Sequence, residues 1–183
     1  MSSNIPRLEM SDLTPELQAA LGPRVARLGY LGEFFRCGGN QPEVLLKFQE
    51  FTEALKRALP DRLTEVVALT VAVRVRNDYE RHQHQRLAEK LGFGREWIIA
   101  VERGASGEHV SLDEAEAAVQ RLALALVERS DDAPELLEKV IASTTPEIAV
   151  AVLFLVGRYL THAGMVTTLR LEPPVPSIFA DQP

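Results

Sequence analysis

Residues 66–75, "VVALTVAVRV", form an apolar run broken only by Thr70 and Arg74. Directly after it, residues 76–84, "RNDYERHQH", place two arginines, two acids and two histidines within nine positions. A run of this length is compatible with a buried helix or a buried strand, and its valines favour a strand. Three features decide for helix: its length, its capping and the helical pattern on either side. Pro60-Asp61 breaks the preceding element, Asp61 or Thr64 is available as N-cap, and Glu65 suits the positive end of a helix dipole.

The rest of the chain extends that reading. Thr14 or Ser11 caps a first helix, with Pro15 at its first position and Glu16 in its first turn. "LGYLGEFFRCGGNQP" reads as a glycine-punctuated connection. Pro42 opens a helix in which Val44, Leu45, Phe48, Phe51, Leu55 and Leu59 recur at helical spacing. Gly92 and Gly94 end the helix carrying the charged cluster, and a short helix closes at Gly104. Ser111 caps an alanine-rich helix, a short one follows "DDAP", and Thr145-Pro146-Glu147 starts a long apolar helix to about Arg170. "EPPVPSIFADQP" is an extended tail expected to lie against the body or a neighbouring subunit. The expectation is an all-α protein of about seven helices, one domain over residues 1–183. It comprises a helix and glycine-rich connection (1–41), a core (42–104), C-terminal helices (111–170) and a tail (171–183).

The totals narrow the function. With 20 basic and 26 acidic residues the net charge is −6, and no basic face is concentrated enough for nucleic acid. The most apolar stretch, Ile148–Gly157, is ten residues against the roughly 20 a membrane crossing requires. The N-terminus carries no apolar signal core, so a cytoplasmic location is expected. One cysteine, Cys37, permits neither an internal disulfide nor a dithiol redox pair, and reads as a partly buried free thiol.

Chemistry concentrates between residues 65 and 84. Glu80 and His84 are four apart and share a helix face, where a carboxylate raises an imidazole's pKa and fixes its tautomer. Such pairs are also common on solvated helices, so an exposed face and an acid–base site both remain open. Glu65 stands 19 residues before His84, roughly 28 Å away along one straight helix. The two can share a site only if the chain reverses at Arg76–Asp78, where Asn and Asp favour a turn. His82 lies on another face and reads as surface or interface. No metal site is expected, because His82 and His84 cannot chelate one ion at a two-residue helical spacing. In the last helix Arg158 and His162 interrupt an apolar face. Arg158 is expected either to pair with Glu65, Glu80 or a partner subunit's acid, or to hold an anionic substrate.

Three stretches resemble the carboxymuconolactone decarboxylase superfamily, which includes the alkylhydroperoxidase D proteins. They are "FFRCGGNQPEVLLKF", "LPDRLTEVVALTVAVRVRNDYERHQHQRLAEKLGFGREWIIAVERG" and "TPEIAVAVLFLVGRYLTHAGMVTTLRLEP". The central one is the specific part. The peroxidase branch carries a Glu, a Cys twelve residues on, a second Cys three further and a His four beyond. The matching positions here are Glu65, Asn77, Glu80 and His84. Glu and His are kept, and both cysteines are replaced. The resemblance therefore implies an alkylhydroperoxidase D-like fold without thiol peroxidase activity.

The decarboxylase branch carries a Glu-x-x-x-His similar to Glu80–His84. That likeness implies cofactor-free, metal-free loss of CO2 from a small anionic acid or lactone derived from aromatic breakdown. In that reading His84 donates the proton, Glu80 orients it and Glu65 completes the relay, while Arg76, Asn77 and Arg158 hold the substrate. The resemblance also implies a homo-oligomer, whether dimer, trimer or hexamer. The alternative is a non-catalytic helical oligomer that keeps the scaffold for binding or assembly.

Overall fold

The computed structural model describes residues 4–180. They form nine α-helices and one 3-10 turn (Met10–Asp12), with no strand among the described residues. The helices are α1 (Pro15–Leu28), α2 (Glu33–Gly38), α3 (Pro42–Ala58), α4 (Asp61–Arg74) and α5 (Asp78–Lys90). They continue with α6 (Arg95–Ala105), α7 (Glu114–Glu128), α8 (Ala133–Ser143) and α9 (Pro146–Leu169). The all-α expectation holds, with nine helices rather than about seven. The stretch expected to be a plain connection contains α2, whose Phe34 and Phe35 are buried and so stabilise a six-residue helix too short to persist alone.

Helix ends follow local chemistry, with two corrections. Thr14 and Thr145 accept from the backbone N–H groups of Leu17 and Ile148, and each precedes a proline at the first helical position. α1 closes on Gly29 at φ 82°, a left-handed conformation that glycine adopts without steric cost. α4 is capped by Pro60 rather than by Asp61 or Thr64; Asp61 is its first residue, and the Thr64 hydroxyl donates to the Pro60 carbonyl. α7 is capped by Asp113 rather than Ser111, because Asp113 and Glu116 satisfy each other's backbone N–H groups in a reciprocal box.

α4 is the axis of the fold. Every residue from Leu63 to Ala72 is buried, and α5, α6, α7 and α9 pack around it. An element surrounded on all sides needs no polar face, which is why its sequence lacks amphipathic contrast. Complete burial of Val66, Val67 and Leu69 contributes roughly 1.5–3 kcal/mol each. A second, smaller cluster joins α1, α2, the start of α3 and the end of α9 through Leu17, Leu21, Phe34, Phe35, Leu45 and Leu169.

α9 meets the length and hydropathy of a membrane span, yet half of its most apolar window is buried within the protein, along with Arg158 and His162. The tail returns over α5. His82 Nδ1 lies 3.1 Å from the Val175 carbonyl, Arg86 donates to the Pro176 carbonyl, and Ser177 donates to Gln85. His82 is thus half-buried under this chain's own tail.

Candidate active site

The chain reverses between α4 and α5, where Arg76 adopts φ 55° and the Asn77 side chain accepts from the Glu80 N–H. This corner folds α5 back along α4. Glu65 and His84 come together, with Nδ1 of His84 2.8 Å from Glu65 Oε2. The other ring nitrogen, Nε2, is 3.3 Å from Glu80 Oε2 and 3.1 Å from the Tyr159 hydroxyl. The imidazole is therefore held at both nitrogens, its side chain only 13% exposed.

Glu80 is the hub. It is buried, and its Oε1 takes Nη1 of Arg158 at 3.0 Å and Nε2 of His162 at 3.0 Å. Arg158 and His162 project from one face of α9, which lies across α4. Arg158 Nε donates to the Thr52 hydroxyl on α3, and its guanidinium sits 4.5 Å from the Tyr159 ring centre. His162 stacks on Phe34 at 4.0 Å between ring centres, and its Nδ1 is buried without a partner among the described residues.

These contacts set the protonation states. Burial alone would pull the His84 imidazolium down, but the Glu65 charge and hydrogen bond, followed by Glu80, overcome it and raise the pKa to about 9. His84 is thus a cation at neutral pH. Burial pushes the Glu80 carboxyl up, but the His162 ring, the Arg158 guanidinium and the donors on His162 and His84 outweigh burial and hold it well below the carboxylate range. Burial pulls His162 below its ordinary value, only partly opposed by Glu80. Burial also lifts Tyr159 well above the ordinary phenol, so it keeps its proton.

A cavity of about 80 Å³ opens beside this network, lined by Glu80, His84, Arg158 and Tyr159 and by Arg24 and Arg27 of α1. Arg24 packs over Phe35, 4.8 Å from its ring centre.

The structure brings Glu65, Glu80, His84 and Arg158 into one cluster. It does not bring Arg76 there: Arg76 is exposed at the corner and does not line the cavity. Asn77 is buried, caps α5 with its side-chain oxygen and does not line the cavity. Arg24 of α1 is a further cation at the cavity. In sequence it looks like part of a solvated helix face, and nothing local marks it. Tyr159 is a further site residue that the helical pattern does not single out, although its place next to Arg158 in an apolar helix is a signal. Cys37 is buried in the smaller core cluster away from the cavity, with its thiol pushed up by burial. No group of three or more metal-ligating side chains occurs among the described residues.

Residues 42–124 match the model of the carboxymuconolactone decarboxylase family. In fold the chain is similar to the debrominase Bmp8. A cysteine-to-alanine variant in complex with 2,3,4-tribromopyrrole gives a TM-score of 0.80 at 16% identity, over 96% of this chain and 94% of that one. The apo form gives 0.79 at 16% identity, over 94% and 92%. ATU0492 from Agrobacterium tumefaciens, an AhpD-like protein of unknown function, gives 0.68 at 18% identity, over 76% of this chain and 96% of that one. No curated protein matches in sequence.

The protein has an all-helical, alkylhydroperoxidase D-like fold, and its buried acid–base cluster contains no cysteine. Over residues 42–124 the chain is similar in sequence to the carboxymuconolactone decarboxylase family.

Proposed function

We propose that the protein is a cofactor-independent acid–base enzyme of decarboxylase type, acting on a small organic acid or lactone. The observation that carries this reading is the continuous chain Glu65–His84–Glu80–Arg158, which opens on a cavity holding further cationic side chains. Loss of CO2 breaks a C–C bond and leaves the electron pair on carbon, where a conjugated carbonyl can delocalise it. The reaction then needs a proton for that carbon and a fixed cation for the departing carboxylate.

His84 supplies the proton as an imidazolium. Glu65 holds its Nδ1–H and thereby aims Nε2 toward the cavity. Glu80 stabilises the imidazolium and is itself kept ionised by Arg158. Arg158 presents positive charge to the substrate from the same wall. With Asn77 and Glu80 in place of the two cysteines of the peroxidase branch, thiol peroxidase chemistry is not part of this reading. A homo-oligomer in the cytoplasm is the setting we propose.

The test is turnover of 4-carboxymuconolactone, followed by loss of substrate absorbance, in the wild type and His84→Ala side by side. Turnover that disappears in the variant, with its helical circular dichroism intact, supports the assignment. Absence of turnover by the wild type on this lactone and on related small unsaturated acids sinks it and favours a binding role for the same scaffold.

A further inference from the structure

We propose that Arg24, Arg158 and the Tyr159 hydroxyl form a receptor for one carboxylate group of a small organic acid, entered from the cationic groove between α1 and α3. The proposal deepens the acid–base reading and rests on it only for what happens to the anion once bound.

Arg24 is the first reason. Its guanidinium lines the cavity, yet it makes no ion pair with any carboxylate among the described residues. It is held instead against the Phe35 ring. Burial pulls its pKa below the ordinary value, partly opposed by Glu80, but a guanidinium does not give up its proton in a protein. Arg24 is half-buried, and a cation partly withdrawn from water without a close counter-charge favours a ligand that supplies one. Around the cavity the carboxylates Glu65 and Glu80 face His84, Arg158, Arg24, Arg27 and Lys56, of which Lys56 is paired with Glu53. Positive charge is in excess there and suits an incoming anion.

Hydrogen-bond bookkeeping at Tyr159 is the second reason. His84 donates Nδ1–H to Glu65 and, as an imidazolium, shares its one Nε2–H between Glu80 Oε2 at 3.3 Å and the Tyr159 oxygen at 3.1 Å, with no lone pair left on Nε2 to accept from Tyr159. Tyr159 is then an acceptor from His84. Its own hydroxyl hydrogen finds no acceptor among the described residues, and the ring lines the cavity. Arg158 spends Nε on Thr52 and Nη1 on Glu80, which leaves Nη2 available. Two guanidinium edges and one O–H suit the lone pairs of a carboxylate. A neutral ligand would leave Arg24 unpaired.

Size is the third. The cavity of about 80 Å³ holds a carboxylate and one or two carbons. Arg24, Arg27, Lys56 and Arg57, with Glu50 and Glu53 as the acids among them, also line a groove of about 590 Å³ between α1 and α3 with a net positive wall, where the remainder of a longer acid can lie. Arg24 stands at the boundary of both spaces, so it meets the carboxylate at the point of entry.

The test uses sodium acetate as probe and acetamide, its neutral isostere, as control, in low-chloride buffer, with the His84 ring proton followed by NMR. In the wild type acetate is expected to shift the His84 signal saturably and acetamide to leave it unmoved. Arg24→Gln should weaken acetate by about tenfold or more, Arg24→Lys by less because it keeps the charge and loses the fork, and Tyr159→Phe by about three- to tenfold. Arg76→Gln should bind as wild type does. Acetate that leaves His84 unmoved, or an Arg24→Gln protein that binds it as tightly as the wild type, overturns the proposal. The assay needs no turnover, so the two readings fail separately. Acetate binding without decarboxylation sinks the enzyme and keeps the receptor, while decarboxylation with unchanged acetate binding in Arg24→Gln does the reverse.

Discussion

Glu65 and His84, 19 residues apart, meet at 2.8 Å because the chain reverses at Arg76–Asn77. The contact ties the axial helix α4 to the helix that carries the charged cluster. It also makes His84 a stable cation in a site whose side chains water barely reaches.

Glu65→Gln tests that contact directly. Gln keeps the shape and a carbonyl acceptor for Nδ1–H but removes the charge. The His84 midpoint, followed by its ring-proton chemical shift, should fall by about one unit or more from about 9. An unchanged midpoint would show that Glu80 alone sustains the imidazolium.

Stability should depend on pH with a definite sign. The folded protein binds the His84 proton more tightly than the unfolded chain, since the pKa rises from 6.5 to about 9. Its stabilisation is fully present below about pH 6.5 and is lost as pH rises through 9, an amount on the order of 3 kcal/mol. Urea midpoints between pH 6 and 10 should therefore decline more steeply for the wild type than for His84→Gln. Parallel curves would refute this.

Glu80 carries the opposite dependence. Its carboxyl is held well below the ordinary range, so its stabilisation is present at neutral pH and disappears as pH falls through the depressed value. Glu80→Gln leaves Arg158 and His84 without their shared carboxylate, and a loss of about 3–5 kcal/mol is expected at pH 7. Combining it with Arg158→Met should cost less than the sum of the two single changes. Additive losses in denaturant titrations would mean that the pair is not coupled.

Arg76 offers a negative prediction. It is exposed and outside the cavity, so Arg76→Ala should leave any turnover unaltered and move stability by no more than about 1 kcal/mol. A large loss of activity would restore Arg76 to the site and contradict the geometry.

Helix class, most helix starts and the chemistry of residues 65–84 were legible because they depend on local patterns. Pro15, Pro42 and Pro146 stand at first helical positions, and the Asn-Asp pair marks the reversal that lets Glu65 reach His84. Arg158 and His162 were conspicuous as polar breaks in an apolar helix. α2 was not legible, since a six-residue helix draws its stability from the packing of Phe34 and Phe35 rather than from propensity. Arg76 attracted attention by adjacency, yet the left-handed corner that enables the site leaves its own side chain in solvent.

By itself, then, the sequence determined an all-helical chain and placed a thiol-free Glu–x–x–x–His pair after a turn signal at Arg76–Asp78, which allowed Glu65 to join it as a cluster. Those outcomes follow from periodicity, caps and spacing along one or two helices. The tertiary structure decided which cations face that cluster. Arg24 on α1, and Arg158 and Tyr159 on α9, reach the cavity only because α1 and α9 pack where they do around α3 and α4. Which side chains from distant helices converge depends on how whole apolar faces dock, and no local pattern encodes that docking.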